Sequence, residues 1–232
     1  MATFLRGDCL EQIKLLPSAS IDLCYINPPF GTTKQSWDCK LPWNQLFPEL
    51  FRVLKTDGIL AIHCSVPFNY ELIRTAPKPP AFSYYWLKEG TTNPFIAKVQ
   101  PLRNTEEILV WYNKKSRYYP QRVGTEKRQL TSNGGTDYYG MTRQQIKQDV
   151  VGYYQTHHLD FKRCATHGKN AKNGFGTRPP EMIELMIKSF TKENDVILDF
   201  TCHLGISGVI ARRLNRRWIG IDKYFYPKLL ME

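Results

Sequence analysis

The stretch that decides the fold is Ile21-Asp22-Leu23-Cys24-Tyr25-Ile26-Asn27-Pro28-Pro29-Phe30. Apart from Asp22, its first six residues are apolar and lack the strict alternation of a half-wet strand. They read as a strand buried on both faces of a sheet. Pro28 and Pro29 end it abruptly, because a proline has no N–H to offer a ladder. Asn27–Phe30 therefore stands at the carboxyl end of a buried strand, where open α/β sheets bind ligands. A plain Pro-Pro turn has the same letters; the strand ahead of it sets this one apart.

Working outward, Thr3–Arg6 reads as a short strand ending at Gly7-Asp8, and Cys9–Leu16 as a helix stopped by Pro17. Trp43–Leu54 carries apolar residues at Trp43, Leu46, Phe47, Leu50, Phe51 and Leu54, an amphipathic helix. Ile59–His63, Phe82–Leu87 and Glu107–Tyr112 read as strands. Near the end, Pro179 and Pro180 open a helix with Met182, Leu185, Met186 and Phe190 on its buried face. Val196–Asp199 (strand), Ile206–Leu214 (helix) and Trp218–Asp222 (strand) follow. Strands alternating with helices predict one α/β domain with a mainly parallel sheet, and 232 residues suit that.

Asn113–Gly176 is different. Periodicity fades, tyrosines come in pairs, and twelve Lys/Arg face four Asp/Glu, so eight of the net +11 charges fall there. It reads as an insert between residues 1–112 and 177–232, with a short helix over Thr142–Val150 capped by Thr142. The local surplus points to a polyanion such as nucleic acid, with Lys114, Lys115, Arg117, Arg122, Lys127, Arg128 and Arg143 as its contacts. A solvated basic loop would give the same charge. The six cysteines are scattered without a C-x-x-C pair, and the five histidines form no spaced set, so no metal site is expected. No long apolar run or signal-like N-terminus is present, and an intracellular, cytoplasmic location is expected.

Two turns carry chemistry. An exocyclic amine on a nucleobase is a poor nucleophile, its lone pair being delocalised into the ring. The Asn27 side-chain oxygen and the Pro28 carbonyl can accept its two N–H bonds and favour the pyramidal, cationic nitrogen of the transition state. Consecutive prolines keep those acceptors aimed. Phe30 offers a face for stacking a base drawn out of its helix. The second turn, Phe200-Thr201-Cys202-His203-Leu204-Gly205, follows the strand ending in Asp199 and opens a helix, a place where backbone N–H groups meet a ligand. Asp222 ends the next strand, where nucleoside-binding α/β folds keep an acidic residue for ribose. Gly205 and Gly208 alone make a weak glycine fingerprint, and a tight structural turn explains them equally.

With these residues in view, nearly the whole chain resembles the β-class S-adenosylmethionine-dependent amino-methyltransferases of DNA. Gly7-Asp8-Cys9 and Ile21-Asp22-Leu23 resemble the lead-in to that family's catalytic motif, usually Asp-Pro-Pro-Tyr or Ser-Pro-Pro-Tyr. Arg52-Val53-Leu54-Lys55 with Asp57-Gly58, Thr177-Arg178-Pro179, and Arg217-Trp218-Ile219-Gly220-Ile221-Asp222 are similar to further family segments. The catalytic motif precedes the basic segment and the cofactor turn comes last, the permuted order of that class. The resemblance implies a Rossmann-like, circularly permuted sheet of seven strands, mainly parallel with the last antiparallel, and a target-recognition insert at 113–176. It implies Asn27, Pro28, Pro29 and Phe30 as the catalytic set. Asp8, Cys9, Arg178, Asp199, Phe200, Thr201, His203, Gly205 and Asp222 would hold S-adenosylmethionine. His203 departs from the family's turn, where a glycine is usual, and its Cβ would restrict close approach to a ligand.

The expected function is methylation of adenine N6 in double-stranded DNA, of the kind found in restriction–modification systems. Cytosine N4 is the neighbouring alternative, and a catalytically impaired DNA-binding relative is a different class. RNA-base and protein-glutamine methyltransferases share the motif but usually place their cofactor segment first. Dimerisation occurs among relatives; one sequence does not display it.

Overall fold

The computed structural model describes residues 2–92, 94–136, 142–161 and 178–223. In chain order the elements are β1 (Ala2–Arg6), α1 (Cys9–Lys14), β2 (Ile21–Ile26), α2 (Trp43–Val53), β3 (Leu54–Cys64), α3 (Phe68–Thr75), β4 (Phe82–Thr92) and β5 (Arg103–Tyr112). They continue as β6 (Arg122–Thr136), β7 (Thr142–Tyr154), β8 (His158–Asp160), α4 (Pro180–Phe190), β9 (Val196–Asp199), α5 (Ile206–Arg213) and β10 (Arg217–Asp222). The chain divides into two compact units, Pro120–Thr156 and all the rest.

The larger unit is built on a sheet ordered β1-β10-β9-β2-β3-β5-β4-β8. Every pairing is parallel except those of β5 with β3 and β4, so β5 alone runs against the rest. The sheet is therefore mainly parallel, as expected, but its antiparallel strand is β5 and not the last strand, since β10 pairs in parallel with β1 and β9, and there are eight strands among the described residues rather than seven. The added strand is β8, anchored by buried Leu159 and by the Trp86 indole N–H, which donates to the Phe161 carbonyl at 2.9 Å. So short a segment shows no periodicity that sequence could reveal.

Helices cover both faces. Cys24, Ile26, Leu60 and Ile62 pack with α1, α2 and α3, while Leu23, Tyr25, Ile59 and Ala61 pack with α4 and α5. This is the period-2 alternation of β2 and β3 with both sides apolar. β2 leads through α2 to β3 on one side, and β9 leads through α5 to β10 on the other. The strand order thus reverses between β9 and β2, the switch point at which such sheets open a ligand crevice.

The amino ends of these strands are closed by an ion cluster. Asp22, fully buried, accepts from Lys55 Nζ at 2.8 Å, Arg117 Nη1 at 2.9 Å and the Val196 N–H at 2.8 Å. Arg117 also reaches Asp57 at 2.6 Å and Asp195 at 3.0 Å. Burial raises the Asp22 pKa, but Lys55, the Val196 N–H and Arg117 outweigh it and hold the carboxyl below its usual range.

The smaller unit is a two-stranded antiparallel ribbon of β6 and β7. The helix expected over Thr142–Val150 is instead strand β7. Its Gln and Lys residues favour a helix in isolation, but cross-strand pairing overrides that preference. Gln129 Nε2, for instance, donates to Asp149 Oδ1 at 3.1 Å.

Candidate active site

β2 and β9 pair directly, with Leu23 opposite Ile197 and Cys24 opposite Leu198. The two chemically marked turns, 27–30 and 200–205, therefore leave the sheet side by side. Between them opens a cavity of about 680 Å³, the size of a site for a small organic ligand. Asn27, Pro28, Pro29 and Phe30 line it, as do Asp8, Cys9, Arg178, Asp199, Phe200, Thr201, His203 and Asp222. Gly205 does not reach the wall; it caps α5 with φ 80°.

The residues on the wall formed by the 200–205 turn and its neighbours differ in what they offer. Asp8 caps α1, accepting from the Leu10 N–H at 3.0 Å and the Glu11 N–H at 3.4 Å. Burial, with Asp8 beside it, pushes the Cys9 thiol up to about 12, so it presents a neutral, apolar surface. Phe200 is core, its ring centroid 6.2 Å from that of Trp43. Thr201 has a buried Oγ1 with no hydrogen-bond partner among the described residues, on the cavity wall. Asp222 Oδ2 accepts the His203 N–H at 2.9 Å. His203 adopts φ 49°, a left-handed conformation in which His is among the better-tolerated residues. The turn thus keeps a glycine-like backbone at His203, tied down by Asp222. Burial pushes Asp199 up to about 7, against hydrogen bonds from Ser207 Oγ and the Thr201 N–H.

On the other wall, the Asn27 side-chain oxygen accepts from Arg178 Nη2 at 2.5 Å. Phe30 stacks on Phe68 with ring centroids 5.1 Å apart. Behind Asn27 lies a buried polar group absent from the sequence reading. Glu106 Oε1 meets Arg178 Nη2 at 2.5 Å and His63 Nδ1 at 3.0 Å, Glu106 Oε2 meets Lys88 Nζ at 2.7 Å, and His63 Nε2 lies 2.7 Å from the Tyr25 hydroxyl. Burial raises Glu106, but Arg178, His63 and Lys88 together hold it below the carboxylate range; burial also depresses His63 to about 4 and keeps it neutral. Phase alone did not single it out: Glu106 shares a strand face with Ile108 and Val110, but Glu107 shares the other with Leu109 and Trp111, which are equally buried. The loop after Phe30 was also missed. Asp38 accepts from the N–H groups of Gly31, Thr32 and Thr33 at 2.6–3.0 Å and folds that loop along the cavity, where Trp37 lies.

The basic candidates do not share one place. The N–H groups of Lys114 and Lys115 donate to the Thr56 carbonyl, and Arg117 belongs to the ion cluster. All three sit at the amino ends of the strands, opposite the cavity, about 17 Å along β2 at ~3.3 Å per residue. Arg117, with three carboxylate partners, is a structural residue. Arg122, Lys127 and Arg128 are on β6 and Arg143 is on β7; the Arg122 guanidinium lies 4.2 Å from the Tyr154 ring centroid. Tyr138, Tyr139, Cys164, His167 and Thr177 fall outside the described residues. His157 and His158 are exposed, His157 stacked on Phe82 and His158 in β8. Among the described residues no three His, Cys, Asp or Glu are grouped to hold a metal, and no helix is long and apolar enough to cross a membrane.

Comparison with known proteins gives this geometry a lineage. A type II methyltransferase of Lactococcus lactis subsp. cremoris, M2.LlaDCHI, is 49% identical over 95% of this chain and 84% of its own length. M.HinfI of Haemophilus influenzae and M.BamHI of Bacillus amyloliquefaciens are each 25% identical; the chain spans only 64% and 53% of their lengths. Among solved structures, M1.HpyAVI in complex with SAM superposes with a TM-score of 0.63 at 19% identity, covering 96% of this chain and 94% of its own. The cytosine-N4-specific PvuII DNA methyltransferase does so at 0.64 and 16%, covering 96% and 82%. The family described as DNA methylase, which comprises the N6 and N4 methyltransferases, matches residues 21–226. A sheet reversed between β9 and β2, with Asn-Pro-Pro-Phe on one lip and the Asp199–Gly205 turn on the other, is carried by a chain that belongs to the N6/N4 DNA methylase family.

Proposed function

We propose that this chain transfers the methyl group of S-adenosylmethionine to N6 of an adenine in double-stranded DNA. The observation that carries the reading is the pairing of two unlike walls in one cavity. One wall has an acceptor, Asn27 Oδ1, beside two rigid prolines and Phe30. The other has a buried Thr201 Oγ1, without a hydrogen-bond partner among the described residues, and the Asp222 carboxylate. An orphaned hydroxyl and a strand-end carboxylate suit a polar nucleoside-type cofactor, with Asp222 for ribose hydroxyls and Thr201 for the methionine end. Asp8, Cys9, Asp199, Phe200 and His203 would shape the rest of that side.

When bound, the cofactor supplies an electrophilic methyl on a sulfonium. The protein's part is to hold the target amino group in line with it. Arg178 occupies one lone pair of Asn27 Oδ1; the other accepts an N–H of the target, and the Pro28 carbonyl accepts the second. Phe30 stacks the extruded base. Transfer is direct in this reading, without a covalent enzyme intermediate; of the thiols on the cavity wall, Cys9 and Cys202 are pushed up by burial and are poor nucleophiles. The names of the relatives, type II methyltransferases, support DNA as substrate, and Arg122, Lys127, Arg128 and Arg143 of the ribbon are the phosphate contacts in this reading.

The test is transfer of tritiated methyl from S-adenosylmethionine to unmethylated duplex DNA, followed by nucleoside analysis. N6-methyladenine is the expected product. N4-methylcytosine would move the assignment to the other base, and no incorporation would refute the activity.

A further inference from the structure

An asparagine amide presents either an acceptor or a donor, depending on which way it is turned, and its shape favours neither. The reaction proposed above needs the oxygen of Asn27 facing an incoming amino group. Arg178 is what selects that orientation, since a guanidinium donates and never accepts. It leaves Asn27 Oδ1 held at 2.5 Å, with one lone pair on Arg178 and the second for the target. Arg178 in turn is held by Glu106 through the same Nη2, at 2.5 Å.

Glu106 is well placed for this. β5 runs antiparallel to its neighbours, so its beginning lies at the end of the sheet where β2 and β3 finish. The carboxylate is only 4% exposed and is fully engaged, with Arg178 and His63 on Oε1 and Lys88 on Oε2. His63 Nδ1 lies 3.0 Å from Glu106 Oε1 and 3.3 Å from Arg178 Nε, and its Nε2 lies 2.7 Å from the Tyr25 hydroxyl. Tyr25 lies near the end of β2, and Asn27 is the first residue past that end. The group is thus braced at both ends by the strand that carries the reaction centre.

We propose that Glu106 is a positioning residue of the methyl-transfer site: through Arg178 it turns the Asn27 carboxamide so that its oxygen meets the target amine. This rests on the methyltransferase reading and adds to it a residue outside the Asn-Pro-Pro-Phe motif. Losing the charge of Glu106 loosens Arg178 and allows the amide to present its NH₂ to the substrate, donor against donor. A carboxylate at position 27 would have no such dependence, because both of its oxygens accept.

The test is a double-mutant cycle on single-turnover methyl transfer to DNA, with Glu106→Gln, Asn27→Asp and the pair. Glu106→Gln alone should slow transfer about 30-fold, the scale of one misdirected hydrogen bond to the reacting group. Binding of S-adenosylhomocysteine by the folded protein should be little changed, while the melting temperature falls because Arg178 and Lys88 lose a buried partner. Asn27→Asp should keep at least about a tenth of the wild-type rate, and adding Glu106→Gln to it should cost less than about threefold. Equal cost in both backgrounds, a wild-type rate for Glu106→Gln, or an inactive Asn27→Asp would each overturn the proposal. If Glu106→Gln fails to fold, Arg178→Met, which removes the donor and leaves Glu106 to Lys88 and His63, should show the same dependence on position 27. Without any activity assay, the side-chain ¹H–¹⁵N pair of Asn27 should be single in wild type and doubled or broadened in the Glu106 variant; an unchanged pair counts against the proposal. Wild-type protein that transfers no methyl to DNA would instead refute the functional reading itself.

Discussion

Both ends of the central sheet hold a closed ion network, but only the carboxyl end also sets buried polar groups beside a cavity. At the amino ends, Asp22, Lys55, Asp57, Arg117 and Asp195 satisfy one another, and Asp22 is held below its ordinary pKa by its partners. At the carboxyl ends, Thr201 Oγ1 has no partner among the described residues, burial pushes Asp199 up to about 7, and Asn27 keeps an acceptor facing a cavity. Completed networks stabilise, whereas incomplete ones beside a cavity await a ligand. The same polar residue types are structure at one end and chemistry at the other.

The strongest way to break this contrast is to exchange the consequences. Asn27→Ala should reduce methyl transfer by about 10²–10³-fold, as loss of a transition-state acceptor does, with a melting temperature near that of wild type. Single-turnover rates beside thermal melts check both halves. Arg117→Met should do the reverse. It leaves Asp22 with only Lys55 and the Val196 N–H, costing about 3 kcal/mol of stability, while the folded fraction transfers methyl at the wild-type rate. Urea unfolding measures the first and active-site-normalised turnover the second.

Acid–base behaviour should also separate the ends. Asp22, with its lowered pKa, contributes stability above its unfolded value of about 3.9 that is lost as pH falls through the folded one. Asp199 is raised to about 7, so its contribution is present below the unfolded value and lost as pH climbs toward 7. Asp199→Asn should therefore flatten the decline of stability between about pH 4 and 7. The stability deficit of Asp22→Asn should shrink as pH drops below about 4. The smallest effects concern DNA. Lys127→Ala on the ribbon should weaken binding modestly and reduce the salt slope by about 0.9, whereas Lys115→Ala, at the amino end, should change neither. Equal effects of the two lysines on a salt titration would erase the contrast.

Much of the carboxyl end was legible in the chain. An apolar run into Asn-Pro-Pro-Phe, and a second strand into a turn and helix, are local patterns, and sheet geometry brings local patterns of this kind to one edge. What was not legible depended on distant partners. Lys114, Lys115 and Arg117 look like the rest of the basic segment until β5 places them at the opposite end from the cavity. Glu106 becomes meaningful only once an antiparallel strand sets it beside His63 and Arg178. Thr142–Val150 has helix-forming residues, and only pairing with β6 makes it a strand. His203 marked a departure from the expected glycine, yet the turn absorbs it through a left-handed backbone fastened to Asp222.

That fastening makes Asp222 the most direct point of attack on the central claim, that the carboxyl-end cavity is built for S-adenosylmethionine. Isothermal titration of S-adenosylhomocysteine should give one site per chain in the wild type and in Arg117→Met. In Asp222→Ala, the loss of a charged hydrogen-bonding partner should weaken it by at least about 10-fold. No binding to the wild type, or equal binding to Asp222→Ala, would contradict the account.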